Sequence, residues 1–117
     1  MIIPVNASNF VLQNIDINSL NISVDNYVVM IKASWCHFCT QYLPTYEQYS
    51  LKHNNIAFLT VEKDDNEELI ASWKELINPI FEVNGYPTLV IYDHQGNPIR
   101  VVENRSDLDM EIVKANL

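Results

Sequence analysis

The stretch Trp35-Cys36-His37-Phe38-Cys39 holds both cysteines of the chain, two residues apart. It follows an apolar run over 27–33 that predicts a buried strand, and it begins a segment over 36–53 that predicts a helix. A thiol at the start of a helix lies near the positive end of the helix dipole and near unpaired N–H groups, which lower its pKa. Because the thiolate is the form that attacks a disulfide, this arrangement predicts a redox-active pair.

Length and charge limit the kinds of protein that the chain can be. With 117 residues it is expected to form a single domain, 1–117, and its net charge of −8 argues against nucleic acid as a partner. No apolar run approaches the ~20 residues that span a bilayer, and the N-terminus lacks the features of a signal peptide. We therefore expect a cytoplasmic monomer that does not bind a membrane. The Asn- and Ile-rich composition also allows a virion location, if the source is a large DNA virus.

The two cysteines favour reversible chemistry over a structural role. A bridge between Cys36 and Cys39 closes a very short loop and constrains the unfolded chain little. Together with His37 they would supply part of a zinc site, but a structural zinc site takes four ligands, usually as two separated pairs. Only a dimer that shares two cysteine pairs would complete it. We therefore expect no metal and no cofactor other than the cysteine pair itself.

The rest of the pattern alternates strands with helices. Pro44 lies inside the long helix and predicts a kink, while Asp65 with Glu68 resembles a capping box for the next helix, which Asn78-Pro79 should end. The expected strands are 2–5, 27–33, 56–61, 88–92 and 99–102; the expected helices are a weak one within 9–23 and stronger ones over 36–53, 65–78 and 107–116. This order predicts an α/β fold with a central mixed β-sheet flanked by helices on both faces.

Three separated pieces of sequence resemble the thioredoxin superfamily in order and spacing. They are Trp35-Cys36-His37-Phe38-Cys39, Pro44 five residues after the second cysteine, and Gly85-Tyr86-Pro87-Thr88 before a strand. The resemblance covers essentially the whole chain and implies a thioredoxin fold, with Pro87 in cis and facing the cysteines. The Gly-Tyr-Pro-Thr piece, the opening 3–10 and Arg105 are similar to the protein disulfide isomerase branch. In that branch a loop arginine helps to set the pKa of the second cysteine.

The resemblance also implies a mechanism and a set of partners. Cys36 would attack a substrate disulfide as the thiolate, and Cys39 would resolve the mixed disulfide. Pro87 would keep the backbone of Tyr86 open to an extended protein or peptide substrate, and Trp35 would rim a shallow apolar groove. An external redox partner would complete the cycle. Whether the chain reduces, oxidises or isomerises disulfides stays open.

Two positions near the cysteines depart from the family pattern. The family usually has a buried acid at the position of Met30, and thioredoxins have its lysine partner near Thr60. That acid accepts the proton of the resolving thiol. Its absence therefore opens an alternative, a thioredoxin-fold module that binds peptides or a partner with little turnover.

Two basic residues beside the cysteines carry further hypotheses. Lys32 lies on the Met30 side of its strand, so we hypothesise that its charge tunes the thiols; the alternative is a solvated lysine at a strand end. His37 directly follows the nucleophile. A charged imidazole there would stabilise the thiolate and make the pair more oxidising than a thioredoxin. The alternative is an exposed residue with little effect on the thiols.

Overall fold

A computed structural model describes all 117 residues and shows a five-stranded mixed sheet with a small hairpin beside it. In chain order the strands are β1 (Ile2–Val5), β2 (Phe10–Val11), β3 (Asn14–Ile15), β4 (Asn26–Lys32), β5 (Ile56–Glu62), β6 (Thr88–Tyr92) and β7 (Pro98–Val101). The large sheet has the order β1-β5-β4-β6-β7. Strands β1, β5 and β4 run parallel, whereas β6 and β7 are antiparallel to their neighbours. The predicted mixed sheet is therefore confirmed, with β4 at its centre.

Three helices cover the two faces of this sheet. They are α1 (His37–Lys52), α2 (Glu67–Glu75) and α3 (Leu108–Ala115). Side chains of α1 and α3 pack on one face, and side chains of α2 pack on the other, as predicted. Pro44 lies inside α1 and has no N–H to donate to the carbonyl one turn earlier. None of the three helices is long and apolar enough to cross a bilayer.

Strand β4 contributes to two separate cores. Tyr27, Val29 and Ile31 pack with the side chains of α2, whereas Val28 and Met30 pack with α1, α3 and both cysteines. The first six residues of the strand are buried. Because helices cover both faces, the strand has an unbroken apolar sequence instead of alternating polar and apolar residues.

The segment 9–23 contains no α-helix, so the predicted weak helix is wrong. It holds the β2–β3 hairpin and one short 3₁₀ turn, Ile17–Ser19, and another 3₁₀ turn, Ala7–Asn9, precedes the hairpin. Distant partners fix the hairpin tip: the Gln13 amide donates to the Phe81 carbonyl at 2.9 Å, and the Trp73 indole donates to the Leu12 carbonyl at 2.8 Å. These tertiary contacts override a weak local helical tendency.

Helix α2 is shorter than predicted and begins differently. It ends at Glu75, and Leu76 is already extended, with φ −63° and ψ 136°. The N-cap is Asn66, which makes no capping hydrogen bond, so the predicted capping box at Asp65 is wrong. The Asn66 side chain instead accepts from the Ala7 N–H and donates to the Glu62 carbonyl, both at 2.9 Å. It therefore links the 3₁₀ turn after β1 to the end of β5.

Candidate active site at the start of the long helix

The turn between β4 and α1 brings the cysteines to the carboxyl end of the central strand. The Cys36 N–H donates to the Ala33 carbonyl at 3.1 Å. Ser34 donates to the Asp64 carboxylate from its N–H at 3.1 Å and from its hydroxyl at 2.5 Å. The hydrogen bonds from the Ser34 hydroxyl and N–H lower the pKa of the Asp64 carboxyl. An acid that follows β5 therefore fixes the turn that leads into the cysteine pair.

Cys36 and Cys39 form a disulfide across the first turn of α1, with their Cα atoms 5.3 Å apart. Cys36 is the N-cap, and its Sγ accepts a hydrogen bond from the Cys39 N–H at 3.1 Å. Both residues are buried, with Cys36 6% exposed and Cys39 2% exposed. After reduction, the free N–H groups at this helix end would stabilise a thiolate on Cys36.

The loop before β6 faces the disulfide. The Tyr86–Pro87 peptide bond is cis, and the Tyr86 carbonyl oxygen lies 3.4 Å from Cys36 Sγ. The Tyr86 N–H has no hydrogen-bond partner within the protein. The Trp35 and Tyr86 rings meet edge to face, with their centroids 5.6 Å apart. The structure thus brings together Trp35, Cys36, Tyr86 and Pro87, which the sequence places in two distant segments.

The surface around the cysteine pair has an aromatic part and a polar groove. Trp35 and Phe38 are each 65% exposed. A groove of about 650 Å³ runs beside Pro87, lined by Glu82 and residues 84–89 and 101–106. Both features offer contact area next to the reactive sulfurs.

His37 is the first residue of α1 and is exposed beside the disulfide. Its ring centroid lies 6.3 Å from that of Phe38, and it forms no hydrogen bond within the protein. Nowhere in the structure are three or more His, Cys, Asp or Glu side chains grouped so that they would hold a metal ion.

Lys32 forms an ion pair that the sequence analysis did not foresee. Its Nζ lies 2.7 Å from Glu62 Oε2, and the other carboxylate oxygen of Glu62 is buried without a hydrogen-bond partner. In the β4–β5 register, Lys32 pairs with Glu62, and two residues earlier Met30 pairs with Thr60. An acid–lysine pair is therefore present, but it lies two residues farther along both strands than the family's pair. The strands are also exchanged, since the lysine lies on β4 and the acid on β5.

Arg105 begins the 3₁₀ turn Arg105–Asp107 that precedes α3. Its Nη1 donates to the Pro87 carbonyl at 3.1 Å, and its guanidinium lies over the Tyr42 ring, 5.9 Å from the centroid. The predicted loop arginine therefore touches the loop that faces Cys36. No local spacing connects Arg105 with Tyr42, which lies 63 residues earlier in the chain.

Sequence reasoning also missed Glu62 and Asp64. Each lies 30 residues from its partner, Lys32 or Ser34, so no local spacing connects them. The pairing of β4 with β5 is the feature from which the Lys32–Glu62 contact could have been predicted. Once β4 and β5 are aligned as parallel neighbours, Lys32 and Glu62 fall side by side at the end of the sheet that carries the cysteines.

Comparison with known proteins agrees with this geometry. The sequence profile of the thioredoxin family matches residues 14–114. Mouse thioredoxin domain-containing protein 8 is 32% identical over 59 residues, which make up 50% of this chain and 46% of that protein. The chain thus spans about half the length of the curated relative that it matches.

Solved thioredoxin structures superpose on nearly the whole chain. The thioredoxin NaTrxh from Nicotiana alata has a TM-score of 0.73 at 20% identity, covering 97% of this chain and 91% of its own. The Schistosoma mansoni thioredoxin pre-protein has a TM-score of 0.69 at 22% identity, covering 97% of this chain and 96% of its own. At such identities the likeness establishes the fold.

A mixed sheet with helices on both faces, and a Cys-x-x-Cys pair at the start of α1, define a thioredoxin-fold protein. The chain belongs to the thioredoxin family. Its Cys36–Cys39 pair supports a thiol–disulfide redox role.

Proposed function

We propose that the chain is a thiol–disulfide oxidoreductase that acts on protein disulfides through Cys36 and Cys39. The observation that carries the proposal is the position of Cys36, whose sulfur caps α1 and lies 3.4 Å from the carbonyl oxygen of Tyr86. A thiolate at this helix end is stabilised, and the neighbouring loop offers backbone groups to a substrate chain.

The proposed reaction is a pair of thiol–disulfide exchanges. The Cys36 thiolate attacks one sulfur of the substrate disulfide, the substrate S–S bond breaks, and the second substrate sulfur leaves as a thiolate. Cys39, as a thiolate, then attacks Cys36 Sγ and releases the first substrate sulfur. The substrate gains two electrons and becomes a dithiol, while the protein becomes the disulfide form. An external dithiol partner restores the reduced pair, and the same steps in reverse oxidise a substrate.

The surroundings of the pair fit a polypeptide substrate. The unpaired Tyr86 N–H and the nearby carbonyl could form a short strand-like pairing with an extended segment. Trp35 and Phe38, each 65% exposed, would contact apolar side chains next to the substrate disulfide. Substrates of this kind and an external redox partner are therefore the partners we propose.

Turnover on a disulfide-bonded protein such as insulin, with dithiothreitol as electron donor, tests the proposal. The wild type should accelerate reduction well above the rate with dithiothreitol alone, and Cys36→Ser should abolish the acceleration. Cys39→Ser should trap a mixed disulfide with the substrate, visible by non-reducing electrophoresis. Since the chain has only 2 cysteines, the trapped species must involve Cys36. A wild type no faster than dithiothreitol would overturn the proposal.

A second candidate function is a peptide- or partner-binding module with little turnover. The observation that favours it is Met30, fully buried where the family usually has a proton-accepting acid. This candidate predicts that the protein binds a reduced and alkylated polypeptide while insulin reduction stays at the background rate. Fast turnover by the wild type would exclude it.

A further inference from the structure

Arg105 contacts two segments that lie beside the cysteine pair. Its Nη1 donates to the Pro87 carbonyl at 3.1 Å, and its guanidinium lies over the ring of Tyr42, which is three residues after Cys39 on α1. In return, the Tyr42 hydroxyl donates to the backbone carbonyl of Arg105 at 2.8 Å. One side chain therefore connects the helix that carries the cysteines with the loop that faces them.

The turn that carries Arg105 is itself fastened to α1. The Tyr49 hydroxyl donates to the Ser106 carbonyl at 3.0 Å and accepts from the Leu108 N–H at 3.3 Å. The Asn104 side chain accepts from the Ser106 N–H at 3.0 Å. With its backbone held from both sides, Arg105 needs to order little more than its own side chain to reach Pro87.

The Tyr42 hydroxyl is suited to the donor role. Burial and the neighbouring Tyr49 raise the pKa of Tyr42, and the Arg105 charge opposes this only in part. The hydroxyl therefore stays protonated at neutral pH and continues to donate to the Arg105 carbonyl.

The contact with Pro87 affects the Tyr86–Pro87 edge, the stretch of backbone that we propose pairs with the substrate. Pro87 follows Tyr86, whose N–H is unpaired and whose carbonyl lies 3.4 Å from Cys36 Sγ. The Pro87 carbonyl is therefore the atom through which the position of this edge relative to α1 can be fixed. A bond from a charged guanidinium is stronger and more directional than one from a neutral donor.

We propose that Arg105 is a positioning residue that holds the Tyr86–Pro87 edge at the correct distance from Cys36 for a polypeptide substrate. This inference rests on the proposed function and assigns Arg105 to substrate alignment instead of thiol electrostatics. A small disulfide that enters only at the sulfur has no need of the edge, whereas a polypeptide that pairs along it does.

The test compares Arg105→Met with Arg105→Lys on two substrates, insulin and a small aromatic disulfide. We expect Arg105→Met to lower kcat/KM for insulin by about tenfold, mainly through KM, and to change the rate with the small disulfide by less than about twofold. Arg105→Lys keeps the charge but not the planar fork, so it should recover only part of the insulin activity. Lys74→Met, which removes an exposed cation from α2, is the matched control.

The thiolate titration of Cys36 separates positioning from electrostatics. The proposal expects the same titration midpoint in the wild type and in Arg105→Met. It is overturned if the midpoint shifts and both substrates slow equally, because Arg105 would then act on the thiol through its charge. It is also overturned if insulin turnover is unchanged in Arg105→Met. Failure of the proposed function is distinct, since the wild type itself would then show no insulin turnover.

Discussion

The two faces of the central sheet are both covered by apolar side chains, but they bury different groups. Against α2, β4 contributes Tyr27, Val29 and Ile31 to a core that surrounds Trp73. Against α1 and α3, the alternate residues Val28 and Met30 join a core that contains the disulfide. Strand β4 thus contributes side chains to both cores. The comparison shows how a protein can place its reactive groups in one core while the other core, which contains no reactive groups, stabilises the fold.

The cysteine face also buries groups that need polar partners. The Tyr46 hydroxyl on α1 lies 3.0 Å from the Val28 carbonyl and 2.8 Å from the Leu59 carbonyl, so it ties the active-site helix to two strands. Glu111 on α3 is buried and accepts from Arg100 and from the Glu103 N–H. These bonds fix the elements around the cysteines more specifically than apolar packing alone would.

The largest expected effect comes from substituting the two tryptophans, one in each half of this comparison. Trp73 is 1% exposed and packs edge to face against Phe10 and Phe81 at 5.5 and 5.4 Å. We expect Trp73→Ala to lower the free energy of unfolding by about 3–5 kcal/mol, measured by urea denaturation, because it leaves a large cavity and removes the indole hydrogen bond to the Leu12 carbonyl.

Trp35→Ala is the matched control on the cysteine side. Trp35 is 65% exposed, so its removal should change the free energy of unfolding by less than about 0.5 kcal/mol while slowing insulin reduction. Equal loss of stability in both variants would contradict the assignment of stability to one face and substrate contact to the other.

A smaller effect is expected from the buried charge on α3. Although burial opposes ionisation, the hydrogen bond from Arg100 and the Glu103 N–H lower the pKa of Glu111. Glu111→Gln should therefore lower the free energy of unfolding at neutral pH by about 2 kcal/mol. The lowered pKa means that this contribution is present above about pH 4.3, the ordinary glutamate value, and is lost as the pH falls through the folded-state pKa.

Urea denaturation at neutral pH and in acid checks this prediction. The difference between the wild type and Glu111→Gln should shrink as the pH falls, whereas Glu75→Gln, at an exposed position on α2, should show no difference at either pH. A gap that is constant with pH would show that the loss comes from packing and not from the charge.

His37 should affect the reduction potential of the pair. Removing a charged imidazole next to Cys36 should stabilise the disulfide relative to the dithiol, so His37→Ala should have a potential more negative by about 30 mV, or about 1.4 kcal/mol. Equilibration with glutathione buffers measures the reduction potential, and His94→Ala, in the turn before β7, is the control. No difference in potential between His37→Ala and the wild type would support the alternative of an inert exposed residue.

The smallest effect is expected from the Lys32–Glu62 pair. Lys32→Met leaves the Glu62 charge uncompensated and should raise the pKa of the Cys36 thiol, whereas Glu62→Gln leaves the lysine charge and should lower it, each by roughly half a unit. Thiolate absorbance during a pH titration measures the two shifts. The double variant should return to the wild-type value, and Lys74→Met, which removes an exposed cation from α2, should not move it. Shifts of the same sign in both single variants would refute a charge effect.

The sequence predicts those parts of the fold that local patterns determine. Strands β4, β5 and β6 are mostly apolar runs, and α1 begins at His37, within the recognisable Cys-x-x-Cys motif. The segment 9–23 was mispredicted because distant residues fix its conformation, as in the Gln13 contact with Phe81, 68 residues away. Propensity carries no information about such contacts.

The site likewise has features that local sequence patterns predict and features that depend on distant contacts. Local motifs identify Cys36, Cys39, Trp35 and Pro87, and the structure places them together. The contacts of Lys32 and Arg105 depend on partners 30 and 18 residues away, so only the folded chain shows that one is paired with an acid and the other holds the Pro87 loop. The effect of Lys32 on the thiols and the positioning role of Arg105 stay predictions.

The reduction potential of the Cys36–Cys39 pair tests the central claim most directly. The wild type is equilibrated with a series of glutathione buffers, and its free thiols are counted at each ratio. We expect a single reversible two-electron transition at a potential less negative than the approximately −270 mV of thioredoxin, because a charged imidazole at His37 would favour the dithiol. If no buffer converts the pair between dithiol and disulfide, the pair is not redox-active and the account is wrong.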